Sequence, residues 1–280
     1  MTSPTNSQLI EADDRLATVF SHFYCVQHDR QAAPVQQQLM PNYEMLLVFN
    51  FGPAIMGSFG DSEHIIEQTA VIGPLQKTLT YTVPPGADFI VVNFTLNGFY
   101  RLLGVSMQQL NPASVHDPDV LLNKSCFSEL WTQMVHLASL KERLKLICDY
   151  ARKFVTPLDS PSVALLDSVP YFRHLAVDPV KMLAQTHHVS TRSVQLHFQT
   201  YLGYSAKELG RFLRFKKILN FLYRQPTQPV DWPELVLTFG YYDHSHLSKD
   251  FRYFLGTTPR QFVKQLAQGQ VCISKSGKFY

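Results

Sequence analysis

Two short runs of the chain hold side chains whose types and spacing suit reading the edges of base pairs. Arg192, Gln195, Leu196 and Gln199 recur at i, i+3, i+4 and i+7, which puts them on one face of a helix with Val194 and Phe198 on the other. A guanidinium can clamp guanine and a glutamine amide can clamp adenine by paired hydrogen bonds, so Arg192 and Gln195 are the expected base readers of this run. In the second run Ser245, Ser248, Lys249 and Arg252 fall opposite Leu247, Phe251 and Phe254. His244 and His246 flank its N-terminal end, where recognition helices approach base edges. His244, Ser245 and Lys249 are expected base or phosphate contacts, and Arg252 a phosphate contact. For any one of these positions, an ordinary exposed polar residue is the plain reading beside the functional one.

The elements that must position these residues are written twice. Ser190, Val194, Phe198, Gly203 and Ser205 return 53 residues later as Asp243, Leu247, Phe251, Gly256 and Thr258. Ser190 and Asp243 can accept hydrogen bonds from free amides at a helix start, and Gly203 and Gly256 can take the left-handed conformation that stops a helix. Thr258 followed by Pro259 opens another. A shorter helix precedes each copy, at residues 182–187 and 232–239, which is the layout of a helix-turn-helix. His188 occupies the turn where the second unit has Gly240, a position that often needs positive φ, which costs histidine more than glycine. Residues 206–223 read as a connecting helix on the order of 27 Å long, against roughly 34 Å between successive major grooves on one side of a duplex. Lys207, Arg211 and Arg214 form a basic stripe along it, for which contact with the DNA backbone and simple solvation both stand open.

Residues 240–262, with Gly240, Asp243, Phe251, Gly256, Thr258-Pro259 and Phe262 in order, resemble the second helix-turn-helix of AraC-type transcriptional regulators. The resemblance runs upstream through Leu183-Ala184, Val189-Ser190, Arg192, Phe198 and Gly203-Tyr204-Ser205, and so covers roughly the last hundred residues. It implies a sequence-specific regulator whose partner is double-stranded DNA, and RNA polymerase as a further partner of an activator. Related regulators commonly carry Arg where this chain has Leu196, which leaves either contact with a thymine methyl or a weaker first reader.

Charge supports the same division of labour. Residues 151–280 hold 17 Lys and Arg against 8 Asp and Glu, a net +9, whereas residues 1–150 carry a net −6, within a whole-chain charge of +3. Local cations suit phosphate, because neutralising it releases condensed counterions. A solvated basic surface is the plainer reading of charge taken alone.

The N-terminal half is a different module. Strand-forming runs at residues 44–51, 65–72, 77–83 and 88–96, separated by turn-forming clusters, predict a small antiparallel barrel or sandwich able to enclose a pocket. Residues 45–51, Val71 to Pro74, the strand ending at Phe94 and residues 98–106 are similar, more weakly, to the cupin-like sensory domains of some AraC-type regulators. That resemblance implies small-effector binding or homodimer formation, and no residue identifies a ligand. An enzyme in the barrel would need a metal cluster, but His22, His28, His64, His116 and His136 are scattered, and His244 and His246 diverge on a helix. No cofactor or metal is expected, although a cupin-like enzyme fused to a DNA-binding region, or a protein-interaction module with degenerate helix-turn-helix units, remain the rival readings.

Cys25, Cys126, Cys148 and Cys272 lack zinc or redox spacing, Cys148 lies on the apolar face of a predicted helix, and the polar, acidic start of the chain does not read as a signal peptide. A cytoplasmic protein is expected. No apolar stretch approaches the roughly 18–20 residues of a membrane helix, so no membrane partner is expected. Residues 125–155 predict one or two amphipathic helices, for which packing on their own domain is more economical than a dimer interface. The fold class expected is α+β: a cupin-like domain over residues 1–155, a Pro- and Ser-rich linker at 156–162, an all-α DNA-binding domain of two helix-turn-helix units at 163–267, and an aperiodic tail at 268–280.

Overall fold

Ten short strands build the N-terminal domain in the computed structural model, which describes residues 5–168, 171–172, 178–224 and 229–268. They are β1 (Thr5–Glu11), β2 (Phe20–His28), β3 (Val35–Leu39), β4 (Leu46–Asn50), β5 (Ile55–Phe59), β6 (Ser62–Ile66), β7 (Thr69–Ile72), β8 (Leu79–Val83), β9 (Asp88–Phe94) and β10 (Val115–His116). One antiparallel sheet runs β1-β2-β9-β4-β7-β10, and a second runs β3-β8-β5-β6. Alternation along β4 separates two cores. Leu46 and Val48 point between the sheets to meet Ile55, Ile66 and Leu79, while Leu47 and Phe49 point to the other side with Val71, Ile90 and Val92.

That other side is covered by helices α1 (Gly98–Leu103), α2 (Pro118–Leu122), α3 (Cys126–Val135) and α4 (Leu140–Phe154). Phe127, Leu130, Met134, Ile147 and Ala151 bury their side chains against the sheet. The apolar faces expected over residues 125–155 therefore pack on their own domain. Arg143 on α4 is buried, donating to Asp88 at 2.8 Å and to the Leu137 carbonyl at 2.9 Å, with its guanidinium over the Phe51 ring.

The structure corrects the strand expectations in several places, and β5 and β10 lie outside every expected run. Residues 65–72 do not form one strand: β6 belongs to the small sheet and β7 to the large one, and the chain changes sheets at Glu67 and Gln68. Fully buried Asn50 holds this corner, its amide nitrogen donating to the carbonyls of Pro53, Ile66 and Glu67 at 2.9 to 3.2 Å. The β region also begins far upstream of residue 44, since β1, β2 and β3 precede it. β2 is buried on both faces along most of its length, so its sequence lacks the alternation that marks a half-exposed strand.

The C-terminal domain is helical: α5 (Ser160–Asp167), α6 (Pro179–Thr186), α7 (Thr191–Leu202), α8 (Ala206–Arg224), α9 (Trp232–Thr238), α10 (His244–Leu255) and α11 (Pro259–Ala267). The expected linker is shorter than 156–162. Asp159 accepts from the Ser162 amide at 2.9 Å and caps α5, so Ser160, Pro161 and Ser162 form a first helical turn, where proline is tolerated. Of the expected tail, residues 269–280 lie outside the described residues, and Cys272 with them.

The two domains share a core. The segment joining β3 to β4, residues 40–45, projects from the β domain, and its Tyr43 ring stacks on Phe212 of α8 at 4.4 Å between centroids. Tyr204 and Phe254 present their edges to the same ring, and the Tyr204 hydroxyl donates to the Tyr43 carbonyl at 3.3 Å. Tyr100 of α1 meets Tyr201 of α7 at 4.2 Å. Beside them Gly203, at φ 78°, lies so close to the β domain that an added Cβ would stand 2.9 Å from the Met107 Cβ. Gly256 has the same backbone role at φ 68° with open space around it. Gly256→Ala is therefore expected to lose about 1–2 kcal/mol for its left-handed backbone. Gly203→Ala should lose about 1–3 kcal/mol more from overpacking the domain junction. Urea denaturation of the two variants checks this, and equal losses would show that the junction yields freely.

Candidate nucleic-acid interface

Both helix-turn-helix units close their turn with the same hydrogen bonds. In the first, Val189 donates its amide to the Ala184 carbonyl at 3.0 Å, with His188 between them at φ 54°. In the second, Tyr241 donates to Val236 at 2.9 Å, with Gly240 at φ 68°. Each is a helix stop with one residue in the left-handed region, where the Cβ of histidine costs roughly 1 kcal/mol more than glycine. The positive φ expected at His188 is present.

The next helices start alike. The Ser190 hydroxyl accepts from the Ser193 amide at 3.0 Å, and the Asp243 carboxylate from the His246 amide at 2.6 Å. Both units then run into capping boxes, Ser205 with Glu208 and Thr258 with Gln261, in which each partner's side chain takes the other's backbone N–H. The duplication seen in the sequence is thus a duplication of hydrogen bonds.

Helical phase sorts the side chains as expected. On α7, Val194, Phe198 and Leu202 are buried and Arg192, Gln195, Leu196 and Gln199 are exposed, Leu196 at 58 %. On α10, Leu247, Phe251 and Phe254 are buried and His244, Ser245, Lys249 and Arg252 are exposed. Ser248 is half-buried, its hydroxyl 3.3 Å from the His244 Nδ1. Tyr242, at 91 % exposure, stands just before the α10 cap, and sequence reasoning passed it over.

The stripe expected on α8 divides. Lys207 is exposed, but Arg211 donates its Nε to Asp250 at 2.7 Å and lies over the Tyr253 ring at 4.2 Å. Arg214 lies over Tyr241 at 4.6 Å and reaches the Gly240 carbonyl. Both guanidiniums tie α8 to the second unit instead of lining an outward face, because a buried carboxylate and two tyrosine rings compete for them more strongly than water does. Asp250 is the residue of this cluster that the sequence reading missed. It is fully buried and accepts from Arg211 and, at 2.8 Å, from the Tyr241 hydroxyl, whose own ionisation is pushed up by burial first and then by this carboxylate. Its phase beside Leu247, Phe251 and Phe254 was the available signal, since a charge at a core position requires a partner.

Elsewhere, no group of three or more His, Cys, Asp and Glu among the described residues could hold a metal ion. Burial pushes the Cys25 thiol up to about 12 and raises that of Cys148, which keeps both as protonated thiols. No helix among the described residues is long and apolar enough to cross a membrane.

Comparison with known proteins agrees with this geometry. Residues 183–265 match a family model described as a helix-turn-helix domain, and residues 8–116 match one described as a domain of unknown function (DUF6597). The first match falls on the two duplicated helical units and the second on the β-rich N-terminal domain, so the chain carries a helix-turn-helix domain behind that β domain. The chain is similar to ToxT from Vibrio cholerae, at 10% identity over 94% of this chain and 98% of that one, with a TM-score of 0.42. It is similar to the same protein bound to an unsaturated fatty acid, at 8% identity, covering 86% and 97%, TM-score 0.41. The AraC-like transcriptional activator CuxR is 9% identical, covering 77% and 86%, with a TM-score of 0.30. No curated protein matches the chain.

The Asp250 arrangement makes a prediction about stability. Asp250→Ala and Arg211→Ala should each lose roughly 1–3 kcal/mol, the first by stripping two donors of their acceptor and the second by leaving a buried carboxylate short of its cation. A double-mutant cycle from urea midpoints is expected to give a coupling of about 1 kcal/mol or more. Additive losses would mean that the ion pair does not join the two helices.

Proposed function

We propose that the chain binds a specific duplex site with α7 and α10 in two successive major grooves, and that α8 sets their separation. The supporting observation is the repetition of one hydrogen-bonded unit, with donor-rich faces exposed on both second helices. Arg192 and Gln195 read bases in the first groove, Leu196 meets a thymine methyl, and Gln199 adds a polar contact. His244, Ser245 and Lys249 read the second groove, with Ser248 positioning His244. Arg252 neutralises a phosphate, and such contacts set register while base contacts set sequence. The β domain governs this engagement through a small effector or through homodimer formation, and RNA polymerase is the further partner if the regulator activates. A protein of this function works in the cytoplasm, and the β domain is assigned no catalysis.

Selection of bound sequences from a random duplex pool tests the reading. Two short motifs about one helical turn apart are expected. Arg192→Ala should relax one motif and Lys249→Ala the other, each by about 1–3 kcal/mol at its position. Arg252→Ala should weaken all sequences alike and lower the salt dependence by about one phosphate contact. A single motif, or one relaxed equally by both substitutions, would rule out two independent readers, and affinity without salt dependence would point to a protein partner instead.

A further inference from the structure

Between the two sheets lies a cavity of about 190 Å³. Its size exceeds the roughly 150 Å³ of an apolar cavity that accepts benzene. Leu46, Val48, Ile55, Leu79 and Phe89 give it a largely apolar wall, and among the described residues none of its lining is Lys, Arg, Asp or Glu. A carboxylate or ammonium entering here would lose its hydration with no fixed counter-charge to replace it. The largely apolar wall therefore suits an uncharged group better than an ion.

One polar group on the wall is left over. His64 of β6 has its Nε2 buried with no hydrogen-bond partner among the described residues. It stands where the apolar cavity adjoins a more polar cleft lined by Glu67, His116 and Asp119. An uncompensated buried nitrogen is costly, and a ligand hydroxyl or carbonyl placed against it would remove that cost. The neighbouring His22 differs, because its Nδ1 already lies 2.9 Å from the Ser21 hydroxyl.

The same wall is joined to the DNA-binding domain. Leu39, the last residue of β3, and Leu46, the first of β4, both line the cavity. They bracket residues 40–45, whose Tyr43 is stacked on Phe212 of α8 and edges Phe254 of α10. A change in the spacing of Leu39 and Leu46 must be taken up by a six-residue segment whose middle is fixed in the other domain's core.

We propose that this cavity binds an uncharged, mainly apolar ligand of about ten non-hydrogen atoms, with one hydroxyl or carbonyl group directed at His64, and that residues 40–45 pass its occupancy to α8 and α10. This rests on the regulator reading given above and adds to it the ligand's chemistry and the route of its effect. The ligand acts only through a difference in affinity between two arrangements of the Tyr43 segment.

Calorimetric titration of the full chain with 4-ethylphenol, and with 4-ethylbenzoate as a charged probe of similar size, tests the site without DNA. Saturable 1:1 binding of the phenol is expected, with the benzoate at least about tenfold weaker. His64→Phe should weaken the phenol about tenfold, and Gly57→Leu, which fills the cavity from β5, should abolish binding while the variant keeps a cooperative thermal transition. With saturating 4-ethylphenol, affinity for a duplex selected by the wild-type chain should change about fivefold or more. That change should vanish in Tyr43→Gly, which suits the positive φ there and should still bind the probe. No phenol binding by the wild-type chain, equal binding of the benzoate, or full binding by a folded Gly57→Leu would overturn the site. An unaltered DNA response in Tyr43→Gly would overturn the route. Specific DNA binding alongside any of these failures leaves the regulator reading standing, whereas loss of specific DNA binding in the absence of probe counts against that reading alone.

Discussion

Asp250 can stay in the core of the second helix-turn-helix because Arg211 and Tyr241 both donate to its carboxylate, and Arg211 comes from α8. Without those donors a buried carboxylate would carry the full cost of lost hydration. With them, α10 is held to the helix that separates the two reading units. Phe215 of α8 stacks on Phe254 at 4.8 Å and meets Phe251 edge-on at 5.0 Å, so the apolar contact and the ion pair fix the same pair of helices. A spacer of 19 residues, about 28 Å at 1.5 Å per residue, can hold two readers at a set distance only if it cannot swivel against either of them.

The β domain leans on this same spacer. Tyr43 adopts a left-handed backbone, unusual for a bulky residue, and its ring is buried against Phe212, which directly follows Arg211 on α8 and lies about one turn before Phe215. Such strain persists only where the surroundings over-determine it. Here the ring is held by Tyr204, Phe212 and Phe254 of the DNA-binding domain, and the backbone by the Leu75 carbonyl of the β domain, which accepts from the Tyr43 amide at 3.0 Å. Beside this contact, Gly203 closes α7 against Met107 and Pro74 with no room for a side chain. Both second helices are thereby referred to one β domain, which gives that domain a physical means of changing how they are presented.

The helical half was legible because its punctuation is local. Ser190, Asp243, Thr258, Gly203 and Gly256 act on amides and carbonyls within a few residues, so their types and spacing fix helix starts and stops before any tertiary contact forms. Exposure on α7 and α10 followed from phase for the same reason. Interactions between elements were not legible in this way. Arg211 and Arg214 read as a surface stripe because nothing in α8 alone reveals Asp250, Tyr241 and Tyr253 beside them. The corner at Asn50 divides residues 65–72 between two sheets through carbonyls 16 and 17 residues away, and β2 carries no alternation because both its faces are covered. Proline and serine at 160–162 signal a helix start as readily as a linker, and only the Asp159 cap distinguishes the two.

The central claim is that two helices fixed by α8 read one duplex together. The most direct test is the affinity for a selected site after five base pairs, about half a helical turn, are inserted between its two motifs. A rigid spacer predicts that affinity falls to the level of a single motif, because the second groove has rotated to the far side of the duplex. Unchanged affinity would contradict the account, since it would mean that the two units move independently or that one of them does not touch DNA.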